Sequence, residues 1–237
     1  MSKHRIYLPD GPDQSLPVDR LHYLTRVLRL RPGDRLCVFD GTGAEWLAEL
    51  EGGGASSLRV VQQLDSEPQP TVLIRLVQAV AKGDRMDTTI QKSTELGVAE
   101  IQPVLTQRTE VKLKGERLQR RQQHWSGVMI SACEQSGRQR LPLLHPLQAL
   151  DSWLSQLDPV GAAYLLNPEQ GHRLRELDRP DGAITLAVGP EGGFTEQEIT
   201  MLNNSGFANL SLGPRVLRTE TAGPAAIAAI QALWGDG

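Results

Sequence analysis

From Thr71 onward, apolar runs of strand length alternate with stretches of helical periodicity. This alternation constrains the fold of the 237-residue chain more than any other feature. "TVLIRLVQAV", "EIQPVLT", "VGAAYLL", "AITLAVG" and "FANLSLG" read as strands. "RMDTTIQKSTELG", "ERLQRRQQHWSGVMISACEQ", "TEQEITMLNNSG" and "TAGPAAIAAIQALW" read as helices. Parallel strands need a crossover connection, usually a helix, so the pattern predicts an α/β domain with a mainly parallel sheet. Gly97 is placed to cap the first of these helices. Thr195 and Glu198 have capping-box spacing, which starts the third helix just past a glycine turn. In the longest helix Leu118, Trp125, Val128, Met129, Ala132 and Cys133 share one face. Pro103 sits inside a strand and predicts an edge or bulged position, because proline has no N–H for a ladder.

The segment before Thr71 has a different rhythm. "RLCVFDGTGAEWLAEL" gives a strand, a turn at Asp40 to Gly43 and a second strand, which is a hairpin signal. "SLRVVQQL" adds another strand after the glycines at 52–54. Short strands with glycine-rich turns predict a small barrel. One helix interrupts it, "DRLHYLTRVLRL", with Leu21, Leu24, Val27 and Leu28 at helical spacing. "DSEPQPT" carries two prolines and no periodicity and reads as a linker, so the domains are expected at 1–68 and 69–237.

The composition excludes several classes. Hydrophobic residues make up 39%, a globular value, and the net charge of −3 gives no whole-molecule signal for nucleic acid. The two cysteines, Cys37 and Cys133, have no metal-type spacing, which argues against zinc or a disulfide framework and for a reducing cytoplasm. "MSKHRIYLPDG" has no apolar leader, and no uncharged apolar stretch reaches spanning length, so a cytoplasmic protein is expected. His4, His22, His124, His145 and His172 are scattered without ligand-spaced partners, and no metal is expected.

In open α/β sheets, ligands bind beyond the carboxyl ends of strands. Three strand ends are unusual here: "LLNPEQG" (Leu165 to Gly171), "VGPEGG" (Val188 to Gly193) and "LGPRVLRTETAG" (Leu212 to Gly223). Glycine allows close approach of a ligand to backbone, and proline stiffens the turn. Loop amides can read the polar edge of an adenine while Leu166, Leu212, Val216 and Leu217 cover its faces. A Gly-Pro turn alone only stops a strand, but two in succession, each followed by charge, point to a site. A dinucleotide fingerprint, a P-loop and a serine nucleophile elbow are all missing from the sequence. Basic residues cluster near the N-terminus (Arg5, Arg20, Arg26, Arg29, Arg31, Arg35) and again from Arg108 to Arg121. A single such run is usually solvated surface. Two, one of them on a small barrel, suggest a surface that follows phosphates.

"HYLTRVLRLRPGD", "KGDRMDTTIQKSTELGV", "ISACEQSGR", "LAVGPEGGFTEQEI" and "LGPRVLRTETAGPAAIAAIQ" together resemble the bacterial 16S ribosomal RNA (uracil-N3)-methyltransferases of the SPOUT superfamily. The resemblance runs through nearly the whole chain. It implies a PUA-like β-barrel for RNA and a C-terminal α/β methyltransferase domain with a deep trefoil knot, an exception to unknotted topology. It also implies a homodimer, a 16S rRNA or small-subunit partner, and S-adenosyl-L-methionine as cofactor. Carried over by position, the cofactor residues are Leu165, Leu166, Asn167 and Pro168, then Gly189, Pro190, Glu191, Gly192 and Gly193, then Leu212, Gly213, Val216 and Leu217.

The reaction implied is in-line methyl transfer to uracil N3, in which alignment is the main task. Arg218 is the candidate for stabilising the uracil anion. Glu220 either orients Arg218 or accepts the proton. The plainer alternative for the pair is a capping salt bridge at a helix start. Glu134, Gln135 and Arg138 either contact RNA or simply end their helix, with Gly137 as cap. Arg5, Arg26, Arg29 and Arg31 are the RNA candidates of the first domain. Three rivals remain: an RNA-binding protein without catalysis, a nucleotide hydrolase using Glu191, and a methyltransferase with a ribose 2′-O or guanine N1 target.

Overall fold

A computed structural model describes residues 4–12, 16–52, 57–111, 113–157, 161–167 and 170–235. The chain divides into two compact units, Met1–Gln69 with Ile130–Leu141, and Pro70–Met129 with Pro142–Gly237.

In the first unit, strands β1 (Arg5–Tyr7), β2 (Arg35–Phe39), β3 (Glu45–Leu50) and β4 (Leu58–Gln63) form a sheet in that order. β1 runs parallel to β2, and the β2–β3 hairpin is as the sequence predicts. Among the described residues β1 and β4 have one neighbour each, so these strands form an open sheet rather than a closed ring. Ile6, Leu24, Leu36, Val38, Ala48 and Leu50 make its core. Each fully buried Leu, Ile or Val contributes about 1.5–3 kcal/mol.

The helix of this unit departs from ideal spacing. It begins as α1 (Val18–His22) and continues as a π-helical turn over Tyr23–Val27. Leu28 donates its N–H to the Tyr23 carbonyl, five residues back. That wider turn keeps Leu24 in the core but leaves Val27, expected on the apolar face, 61% exposed. The turn ends at Arg29, a non-glycine residue at φ 57°.

Ile130–Leu141, which a linear reading assigns to the second domain, joins the first unit for a visible reason. Arg5 donates to the Cys133 carbonyl at 3.0 Å, and Glu134 accepts the Tyr7 N–H at 3.1 Å. Leu141 donates its N–H to the Gly41 carbonyl at 3.0 Å. Arg140 donates to the carbonyls of Glu67, Pro68 and Thr42.

The second unit is an all-parallel sheet. Its strands are β5 (Ile74–Ala79), β6 (Glu100–Leu105), β7 (Leu143–Leu144), β8 (Gln148–Ala149), β9 (Ala162–Leu166), β10 (His172–Arg173), β11 (Ile184–Val188) and β12 (Ala208–Ser211). Their order is β10-β12-β9-β11-β5-β6-β7, with β8 also on β6. The helices are α2 (Arg85–Glu95), α3 (Gly115–Ser136, whose residues from Ile130 onward belong to the first unit), α4 (Leu150–Leu154), α5 (Glu196–Asn204) and α6 (Thr219–Trp234). Period-2 alternation sends Val77 and Ala79 of β5 into a core with Trp153, Leu165, Ala187, Phe194, Leu202 and Phe207. Leu76 and Gln78 face α6, which lies so close that a Cβ on Gly223 would stand 3.2 Å from Leu76 Cδ1. The predicted caps form: Thr195 Oγ1 accepts the Glu198 N–H, and the Glu198 carboxylate accepts the Thr195 N–H. Gly97 follows α2 with its N–H on the Thr94 carbonyl.

Pro103 is neither on an edge strand nor in a bulge. It pairs with Gln78 of β5 in regular register. The carbonyls of Ala99 and Ile101 accept from Leu143 and His145, so the alternate residues of β6 bond outward. Pro103 belongs to that outward set. Its missing N–H falls where β7 has ended at Leu144 and β8 has not yet begun at Gln148. The proline is accommodated by an interruption in its neighbour.

Candidate active site

Parallel strands deliver their carboxyl ends to one edge of the sheet, and there the second unit has a cavity of about 790 Å³. Leu165, Leu166 and Asn167 follow from β9. Val188, Gly189, Pro190, Glu191, Gly193 and Phe194 follow from β11. Val216 to Glu220 lead into α6. The cavity therefore unites residues from all three strand-end segments singled out in the sequence. Arg85 and Arg108 complete the wall.

The loop after β11 is braced on several sides. Gly193 donates its N–H to the Pro190 carbonyl at 2.8 Å, closing a turn. Gly193 has φ 70°, where a side chain is disfavoured. Thr219 Oγ1 donates to the Gly189 carbonyl at 2.6 Å and accepts from buried Gln78 Nε2 at 2.9 Å. Arg108 Nη1 donates to the carbonyls of Gly192 at 2.6 Å and Phe194 at 3.2 Å. On the β9 side, Asn167 donates its N–H to the Leu210 carbonyl at 3.0 Å.

Four charged side chains meet at this wall. Glu191 Oε1 accepts the Lys82 backbone N–H at 2.9 Å and Arg85 Nη1 at 2.6 Å. Partial burial pushes the Glu191 carboxyl up, but these hydrogen bonds and the Arg85 charge outweigh it and hold its pKa below the ordinary value. The hydrogen bond to Glu191 raises the Arg85 pKa in turn. Glu220, in the first turn of α6, lies 3.8 Å from Arg85 Nε and 4.0 Å from Arg218 Nη1. Its other oxygen, Oε2, is buried and has no hydrogen-bond partner. Arg218 occupies the N-cap position of α6 with its side chain 80% exposed. The two form the helix-start pair that the sequence allows, and both also line the cavity.

Not every expected cofactor residue lines this cavity. Leu212 and Gly213 line a second one of about 520 Å³, with Leu174, Pro214 and Leu233. Gly213 donates its N–H to Ser211 Oγ at 3.3 Å in the turn that follows β12. Gly192 borders Arg108 rather than the cavity. Pro168 lies outside the described residues.

The RNA candidates separate into two groups. Arg26, Arg29 and Arg31 are exposed. Arg5 is instead a structural residue: it pairs with Glu45 at 2.7 Å, and its guanidinium lies 5.0 Å from the Phe39 ring centre. Glu134 binds the Tyr7 N–H, lies 3.7 Å from Arg20, and has a pKa raised by burial. Burial lowers the pKa of Arg138. Gln135 is exposed. Burial likewise lifts the Cys133 thiol to about 11, which makes it inert.

Sequence reasoning missed Arg85, Arg108 and Thr219 as site residues. Arg85 begins the helix after β5, and Arg108 follows β6, whose end neighbours that of β5. Parallel neighbours share a carboxyl edge, and that signal was available.

One unit thus carries a cavity at its strand ends, and the other carries exposed arginines. The sequence matches the RNA methyltransferase domain family over residues 67–231 and the RNA methyltransferase PUA domain family over residues 16–63, and the chain belongs to this RNA methyltransferase family. Among curated relatives, proteins called ribosomal RNA small subunit methyltransferase E stand out. That of Synechocystis is 37% identical, covering 92% of this chain and 73% of its own. That of Buchnera aphidicola from Schizaphis graminum is 32% identical, covering 94% and 91%. A solved relative of the same name from Neisseria gonorrhoeae, bound to S-adenosyl methionine, is 40% identical with a TM-score of 0.90 over 98% of both chains.

Proposed function

We propose that this chain methylates N3 of a uridine in 16S rRNA of the small ribosomal subunit, using S-adenosylmethionine. The observation that carries this reading is the strand-end cavity with a buried, unpartnered Glu220 oxygen beside Arg218 and Arg85. The names and bound cofactor of close relatives support it.

The cavity suits the cofactor. Its apolar wall of Leu165, Leu166, Val188, Ile199 and Leu217 can cover an adenosine, and backbone groups of the 189–193 loop can meet its polar edge. Glu191, held anionic, complements a cation. When bound, the cofactor supplies an electrophilic methyl group. The protein must align uracil and remove its N3 proton. The Glu220 carboxylate accepts that N3–H, a hydrogen bond that uracil offers and cytosine does not. Arg218 then swings its exposed guanidinium to the carbonyls flanking N3 and stabilises the anion. Arg26, Arg29 and Arg31 contact RNA phosphates.

The homodimer, the trefoil knot and the cytoplasmic location belong to the same proposal. For the knot, the support is that β11 lies between two earlier strands, β9 and β5. For the location, the support is that Cys37 and Cys133 are buried and unpaired.

Methylation at N3 blocks the Watson–Crick edge. Reverse transcriptase should stop at one uridine of 16S rRNA from the parent strain and read through in a deletion strain. Identical traces at every uridine would refute the target.

A further inference from the structure

We propose that Arg85 is a positioning residue that joins the cofactor loop to the uracil-contacting end of α6 by holding Glu191 and Glu220 together; the inference rests on the function proposed above.

Glu191 and Glu220 come from separate elements, the turn after β11 and the first turn of α6. Two carboxylates on one cavity wall repel unless a cation stands between them. Arg85, the first residue of α2, does so. Its Nη1 is 2.6 Å from Glu191 Oε1 and its Nε is 3.8 Å from Glu220 Oε1. Among the described residues, no other cation pairs with both carboxylates. Arg218 reaches only Glu220, at 4.0 Å, and is 80% exposed.

The two arginines therefore divide the work. Arg85 and the two carboxylates sum to one negative charge, which complements a cationic cofactor at the wall. Arg218 is the cation that can leave. When it moves to RNA, Arg85 remains to keep the Glu220 carboxylate in place. The geometry needs a planar fork with separate donors, which lysine lacks, so an Arg-to-Lys change is not conservative here. Lys82 contributes its backbone N–H to Glu191, and its side chain is engaged with Glu110.

The test uses the full chain with small ribosomal subunits from the deletion strain. Calorimetry with S-adenosylmethionine, single-turnover methylation and thermal melting are compared for the parent, R85K, R85Q, E191Q and R85Q/E191Q. R85K, which can still reach Glu191, should keep cofactor affinity within about threefold yet methylate at least about tenfold more slowly. R85Q should weaken cofactor binding by about tenfold as well. The double variant should bind cofactor no more weakly than the worse single one, because both changes break the same contact. Melting of R85K near that of the parent separates positioning from folding. R85K with unchanged turnover, or additive losses in the double variant, would overturn the inference. A parent protein that neither binds the cofactor nor methylates would overturn the proposed function itself.

Discussion

Each of the two units fixes some arginines and leaves others loose, and the partners that do the fixing differ between them. In the first unit Arg5 is spent inside: it holds Glu45, reaches the Cys133 carbonyl and lies by Phe39. Arg26, Arg29 and Arg31, from the same sequence cluster, stay in solvent. In the second unit Arg85, Arg108 and Arg218 all line a single cavity, but only the first two are anchored, by Glu191 and by the Gly192 carbonyl. A fixed guanidinium shapes a site, whereas a loosely held one is available to a ligand. Clustering in sequence does not separate these roles.

The largest expected effect lies at the loosely held cation of the cavity. Arg218→Ala should reduce single-turnover methylation by about a hundredfold or more while cofactor affinity, measured by calorimetry, stays within about threefold. Unchanged turnover would remove Arg218 from the chemistry and leave it a capping residue. The exposed arginines of the first unit should give a different signature. Replacing Arg26, Arg29 and Arg31 together by Ala should weaken RNA binding by about tenfold and flatten its salt dependence, with no change in cofactor affinity. Equal salt slopes would show that these side chains do not meet phosphate.

The smallest effect tests burial. The Glu134 carboxyl has a raised pKa, chiefly because it is buried. A group whose folded pKa lies above its unfolded value stabilises the fold below the unfolded pKa, and that contribution is lost as pH rises through the folded one. At neutral pH Glu134 therefore carries a charge that burial penalises. Glu134→Gln, which can still accept the Tyr7 N–H, should raise the melting temperature by about 2 °C at pH 7.5. The gain should vanish near pH 4, below the ordinary glutamate value. A gain that persists at pH 4 would contradict the assignment, as would a loss at neutral pH.

Much of this was legible because it is local. The β2–β3 hairpin, the Thr195–Glu198 capping box and the Gly-Pro strand ends each depend on a few adjacent residues. What was not legible depends on neighbours far along the chain. Pro103 is tolerated because two short strands leave a gap opposite it. Val27 turns outward because its helix widens into a π-turn. Leu212 and Gly213 leave the cavity at the Ser211 turn, although they directly follow a strand like the other cavity segments. Arg85 becomes a site residue only when β5, β11 and α6 are brought to one edge, and Ile130–Leu141 joins the first unit through contacts with Arg5, Tyr7 and Gly41.

The most direct measurement is a crystal structure of the protein grown with S-adenosylmethionine. The cofactor should occupy the cavity between Leu165–Asn167, Gly189–Gly193 and Val216–Glu220, with its sulfonium on the side of Glu191 and Glu220. Cofactor bound instead beside Leu174, Leu212 and Leu233, or a strand-end cavity closed by the protein's own side chains at saturating cofactor, would contradict it.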